Sequence, residues 1–201
     1  MPAVWPGFIS TVGSFLDDKS EKTHTDTAEK ISSEYHKAVK TAMTSLHANM
    51  VLSQPPYAPI KGAIKQCLDD IRDSEGVAKF PHFSNWASTT SAYWLSVVMS
   101  PTPFHPINMG LSTGTVGIPA PITHIINNGG VIPGLQNDLL TAFTHPPAPA
   151  LYGIPFATKL ATAFTTHLTT VGGLQTEFVT GGSPATPVPV GPVPQVWVGL
   201  V

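Results

Sequence analysis

Histidine is the residue type in this sequence best suited to bind a metal, and the chain contains eight of them. Zinc motifs place their ligands a few residues apart on one helix or loop, and no two of these histidines are that close. Metal-bound histidines also need partners for their second ring nitrogen, and carboxylates are nearly absent from the second half of the chain. We therefore predict no metal site, although a site assembled from distant histidines remains an alternative. The eight are His24, His36, His47, His82, His105, His124, His145 and His167.

Residues suited to acid–base or covalent catalysis have no suitable partners in the sequence. Cys67 is the single cysteine and lies at an apolar position of a predicted helix, where a thiol is typically a small buried hydrophobe. The adjacent pairs Asp17–Asp18 and Asp69–Asp70 project in different directions. No Gly-x-Ser-x-Gly elbow is present, and the glycines of 110–117 lack the Lys-Ser/Thr of a phosphate loop. We predict no catalytic, cofactor-binding or metal residues, and a protein that is not an enzyme.

Charge is distributed very unevenly along the chain. Only Asp138, Lys159 and Glu177 are formally charged after residue 80, whereas the chain as a whole has 10 basic and 12 acidic residues. Thr, Ser, Pro and Gly take the place of charge in the second half. The net charge of −2 and the absence of any Lys/Arg run argue against a nucleic-acid partner. The two halves are therefore expected to meet different surroundings.

The sequence also gives no signal for a membrane. The most apolar window, 151–174, is interrupted by Pro155, Lys159 and His167, so no spanning helix is expected. The N-terminus lacks the basic region and continuous apolar stretch of a secretory signal, which predicts that the protein is made and used without Sec export.

Helical periodicity is the clearest local signal. Asp26 and Glu29 form a helix-start pattern, and apolar residues then recur at helical spacing, which predicts a long amphipathic helix over 26–52. Shorter helices are predicted from Pro59, from Ser84 and from near Pro133. A fifth is predicted to start near Pro155 and to end at Gly172-Gly173.

The shorter helices form two similar units. Residues 59–100 and 133–173 each contain a proline-started helix, a loop and an aromatic-starting helix, which suggests a duplicated helical hairpin. The segment 101–134 between them is rich in Pro and Gly and is predicted to be irregular, with a short strand near 122–126. We predict a single domain over 1–201, mainly α, with about five helices.

The last residues, 181–201, form an extended tail in this prediction. Their prolines fit a polyproline-like segment or an edge strand, but the tail ends on an apolar run that includes Trp197 and Leu200. Such an end needs a surface to cover it. Strand addition to a neighbour or docking into an apolar groove are the expected modes.

The chain resembles, over its whole length, small virion proteins of tailed bacteriophages, especially contractile-tailed ones. The segments that suggest it are Ile31–Val39, Tyr93-Trp94, Pro101–Pro106, Thr166–Val171 and the closing Pro-Val-Pro…Trp-Val-Gly-Leu. The resemblance implies a structural component of the tail, the neck or baseplate, or the capsid surface, assembled in the host cytoplasm. Its implied partners are other virion proteins and copies of itself, with the C-terminal tail docking on a neighbour. A surface poor in charge fits this role because neighbours cover it.

Two other classes remain open at this point. Thr-rich apolar helices are also compatible with a membrane-active or pore-related protein. A small enzyme with a site not visible in sequence is the third possibility.

Overall fold

The computed structural model describes residues 3–42, 50–101, 123–144, 152–183 and 186–200. Within these ranges the chain forms six α-helices, two short 3-10 turns and one antiparallel sheet of five strands. The helices are α1 Trp5–Asp17, α2 His24–Ala38, α3 Ala58–Asp73, α4 Ser84–Leu95, α5 Ile132–Phe143 and α6 Gly153–Leu168. The strands are β1 Met50–Ser53, β2 Val98–Pro101, β3 Thr123–Gly129, β4 Val171–Ser183 and β5 Thr186–Val198. The prediction of a mainly helical fold is confirmed.

The helices form a closed ring in which each packs on the next in sequence and α6 packs on α1. Small residues close the ring, because the backbone of Gly13 in α1 approaches Gly153 at the start of α6. Asp17 strengthens the junction, since its Oδ1 accepts a hydrogen bond of 2.6 Å from the backbone N–H of Gly153. A side chain at either glycine would collide with the other helix.

Aromatic side chains fill the inside of the ring. Phe164 of α6 is the meeting point: its ring lies 4.6 Å from that of Tyr35, 5.9 Å from Phe8, 6.0 Å from Trp5 and 6.2 Å from Trp86, measured between ring centroids. These partners come from α1, α2 and α4, so one residue ties four helices together. Such pairs add to the free energy gained by burying the rings.

The two predicted helical hairpins are present as α3–α4 and α5–α6, and each is enclosed by strands. The order is β1-α3-α4-β2 for the first and β3-α5-α6-β4 for the second, with the two enclosing strands adjacent in the sheet order β1-β2-β3-β4-β5. The sheet packs on the helices through β3 and α4, where Gly129 lies directly against the backbone of Ser91. The sheet as a whole was not predicted.

Several element boundaries differ from the prediction. The helix predicted over 26–52 begins at His24 and ends at Ala38, because Ala42 already has an extended backbone and Met50 starts β1. Val39 and Ala42 are nonetheless fully buried, so the apolar pattern continued after the helix had ended. Helix α1 was not predicted at all. The helix predicted from Ser84 ends at Leu95, and Val98 already lies in β2.

The predicted irregular segment and tail are partly ordered as strands. The strand expected near 122–126 is found as β3, Thr123–Gly129, and the tail forms β5 together with the end of β4. Trp197 and Leu200 are each 2% exposed and lie in the chain's own core. The apolar end of the tail is therefore covered largely by its own protein. Residues 102–122 of the irregular segment lie outside the described residues.

Candidate functional site

The described histidines lie in separate places. His24 Nδ1 contacts Asp69 at 2.8 Å, His36 Nδ1 contacts the Tyr93 hydroxyl at 2.9 Å, and His82 Nε2 contacts Ser74 at 3.3 Å. His124 lies in β3. Among the residues that the structure describes, no three His, Cys, Asp or Glu side chains converge on a common point. His47, His105 and His145 fall outside the described residues.

His167 is the most deeply placed of them. It lies in α6, 2% exposed, and its ring packs against Gly130, whose φ of +97° is favourable only for glycine. Within the described part of the chain neither ring nitrogen has a hydrogen-bond partner. Burial lowers the pKa of His167 to about 4, and the nearby backbone of Gly129 and Val131 offsets this only in part. A neutral, enclosed imidazole of this kind is a packing residue.

Cys67 and the aspartate pairs have structural surroundings. Cys67 is 1% exposed in α3, and burial raises its pKa to about 12, so the thiol is protonated and unreactive at neutral pH. Asp69 forms an ion pair with Lys65 at 2.6 Å and a hydrogen-bond contact with His24 at 2.8 Å, and the hydrogen bonds from these two groups lower its pKa to about 2. Asp17 holds α6, as described above, and Asp18 accepts hydrogen bonds from Ser20.

A surface groove of about 410 Å³ lies between α2 and the start of α3. Its polar groups are already bonded to one another: the Tyr57 hydroxyl donates to Glu29 Oε1 at 2.7 Å, and Lys61 Nζ lies 2.8 Å from Glu29 Oε2. Hydrogen bonds from Lys61, which has the larger effect, and from Tyr57 lower the pKa of Glu29. His36 lines the same groove but is bonded to Tyr93. The polar groups of this groove therefore satisfy one another and leave little to bind a ligand.

Two smaller grooves carry charges as well. One of about 360 Å³ lies at the N-terminus of α2 and includes Lys65 and Arg72, which both pair with Asp69. The other, of about 220 Å³, lies between α5 and α6 and is lined by Asp138 and Lys159, two of the three charges of the second half. Burial raises the pKa of Asp138. The Thr23 hydroxyl in the first groove belongs to the N-terminal cap of α2, where it is bonded to Asp26 at 2.6 Å.

The outer face of the sheet is the feature that departs most clearly from an ordinary protein surface. A single row of paired residues crosses all five strands on this face. Met99 pairs with His124 in antiparallel register, so the residue before Met99, Val98, lies opposite the residue after His124, Ile125. Val98 is 58% exposed, Ile125 60% and Val196 75%. Antiparallel sheets with one solvated face normally carry polar residues there. The row is Ser53, Val98, Ile125, Leu174 and Val196.

The opposite face of the same strands shows the normal pattern. The neighbouring row, Ile126, Gly173 and Trp197, is buried, and a Cβ on Gly173 would collide with the Trp197 ring. Val198 follows Trp197 on β5 and is again 62% exposed. The alternation is therefore apolar on both faces, with one face filled by the core and the other open.

The backbone register continues along the β4–β5 hairpin. In the phase of Leu174 and Val196 it pairs Thr176, Phe178, Thr180 and Gly182 of β4 with Pro194, Pro192, Pro189 and Pro187 of β5. None of these residue types carries a charge, and Glu177, the one charged residue of the hairpin, falls at the alternate phase. We call the row of five, together with Val198, the outer face.

Sequence reasoning missed the outer face as a site, although the sequence contains a signal for it. Val196 and Val198 alternate with Trp197, and the prolines occur two residues apart in two pairs, 187–189 and 192–194. Period-two alternation of this kind is typical of a strand. The missing information was the partner strands, since Val98 and Ile125 come from distant parts of the chain.

The chain matches no known family, no curated protein and no solved structure in the comparisons with known proteins. Within the described residues, none of the helices has the length and apolar character needed to cross a membrane.

Proposed function

We propose that this protein is a structural subunit of a bacteriophage particle, present in several copies and acting through protein–protein contacts in the tail, the neck or baseplate, or on the capsid surface. The observation that carries the proposal is the outer face: a charge-free surface with aliphatic side chains 58–75% exposed, on a chain whose helix ring has its own filled core. Contiguous exposed apolar patches mark interaction sites.

The distribution of charge supports the same role. The described ion pairs lie in the first half, for example Lys61 with Glu29 and Lys65 with Asp69, where they suit a face in contact with water. The outer face is built mainly from the second half. Placing uncharged groups in a contact costs less than desolvating charges.

Only part of the C-terminal tail is available for the proposed contact, which is less than its sequence suggested. Trp197 and Leu200 serve the chain's own core, while Val196 and Val198 of the same strand remain on the surface. The proposed contact to a neighbour therefore uses alternate residues of β5.

Quantitative mass spectrometry of purified particles of the source phage tests the proposal. We expect the chain to be present in a fixed ratio of several copies per particle, retained after washing in high salt because the contact is apolar. A chain that is abundant in the infected-cell lysate but absent from purified particles would refute the proposed function.

A further inference from the structure

The free edge of β5 is poor in hydrogen-bond donors along its proline-rich part. Gly199 N–H donates to Val171 O at 2.8 Å, so Val171 and Gly199 form a hydrogen-bonded pair between β4 and β5. In an antiparallel ladder every second pair is of this kind, so the pairs between them do not exchange hydrogen bonds. The prolines fall between these pairs, because Val190 is the extra residue of a bulge that keeps all four in one phase. Their nitrogens therefore point away from β4, and none has an N–H to offer.

The other edge of the sheet, β1, is only 4 residues long. Short edge strands and edge prolines are two of the devices that prevent edge-to-edge pairing of sheets. With four prolines along β5 and a short β1, the described sheet is poorly suited to bind a partner through its edges. The outer face is left as its contact surface.

The area of the sheet is suited to a stable complex. The strands contain 4, 4, 7, 13 and 13 residues. At roughly 3.3 Å along the strand and 4.8 Å between strands for each residue, the sheet covers about 650 Å² in plane. Standard stable interfaces bury about 800 Å² on each partner, so the sheet of one chain approaches the area that one partner contributes.

Charge complementarity indicates what covers the face. None of its positions is occupied by a charged residue type, so it offers nothing to attract a charged partner surface and would desolvate charges on one. A surface that matches it in both chemistry and area is the same face on a second copy. Two antiparallel sheets pack face to face at about 10 Å when their facing side chains are apolar.

We propose that two copies of the chain pair through their outer faces, forming a two-layer sheet interface about a twofold axis. Ile125, on the middle strand β3, then lies at the centre of the interface, with Val98 and Val196 buried on either side of it. The inference deepens the proposed function by naming a second copy as the partner, and it rests on that function only for the setting in which the pair is used.

Sedimentation of the full chain at micromolar concentration tests the pairing. The wild type is expected at twice its mass of 21.2 kDa. Val196→Lys places an unpaired charge on the proposed interface and is expected to sediment at 21.2 kDa. Val77→Lys is the matched control: Val77 is also exposed, at 54%, but lies outside the sheet, and this variant should remain a dimer.

A second variant helps to distinguish loss of pairing from loss of the fold. Val98→Lys makes the same change on β2, and far-UV circular dichroism shows which variants keep the native fold. A folded Val196→Lys or Val98→Lys chain that is still a dimer overturns the inference, and so does a monomeric wild type. A monomeric wild type that is nevertheless found in particles would refute the pairing alone, while a dimer absent from particles would refute the proposed function alone.

Discussion

His167 shows how burial changes the chemistry of a single residue. Its ring is enclosed by α6 and the Gly129–Gly130 backbone, and in the described structure its nitrogens have no hydrogen-bond partner. Its unpartnered state was not predictable, because it depends on the Gly129–Gly130 backbone, which meets α6 only in the folded chain.

Acid should destabilise the protein through His167. The pKa is lowered from an ordinary 6.5 to about 4 in the folded state, so protonation favours unfolding. Its contribution is fully present above about pH 6.5 and is lost as the pH falls toward 4. For this group we expect the free energy of unfolding to fall by about 2 kcal/mol between pH 7 and pH 5, measured by urea denaturation.

The control is His167→Leu, which removes the titrating ring and keeps an apolar side chain of similar size. It should lose this part of the pH dependence while other acidic groups keep theirs. Parallel stability curves for the wild type and the variant between pH 7 and pH 5 would show that His167 is not the titrating group.

At the level of elements, helices with local start signals were predictable and strands were not. Pro59 and Pro133 lie in the first turns of α3 and α5, as their sequence context indicated. Helix α1 was missed because it has no side-chain cap and contains Gly7 and Gly13, which weaken helical propensity. The strands depend on pairing between distant segments: Ser53 with Val98, and Ile125 with Leu174.

Strand β5 belongs to the fold as much as to any interface. Trp197 is 2% exposed and covers Gly173, so Trp197→Ala should lower the free energy of unfolding by about 3–5 kcal/mol, measured by urea denaturation. Deleting 181–201 would remove this residue together with the strand, and the resulting loss of assembly would not distinguish folding from contact.

Val77→Ala serves as the comparison for Trp197→Ala, because Val77 is exposed and should change stability by no more than about 0.5 kcal/mol. Both variants and the wild type must be measured at the same protein concentration, since pairing makes the apparent free energy of unfolding depend on concentration. A Trp197→Ala chain as stable as Val77→Ala would mean that β5 is not anchored in the core.

Over the molecule as a whole, the division of charge along the sequence has a structural counterpart. The charged first half supplies α2 and α3 with their surface ion pairs, and the neutral second half supplies most of the outer face. The sequence predicted a contact surface in the second half. It did not locate that surface on a sheet, and it assigned Trp197 and Leu200 to a neighbour although they lie in the chain's own core.

Thiol labelling of assembled particles tests whether a neighbour covers the outer face, on which both proposals depend. Val196→Cys introduces an accessible thiol, since native Cys67 is buried and unreactive, and Val77→Cys reports general access of the reagent. We predict that Val196→Cys reacts rapidly in the free, diluted chain and is protected in the particle. Labelling of Val196→Cys in the particle at the rate of the denatured chain would show that the outer face is open to solvent and that no neighbour covers it.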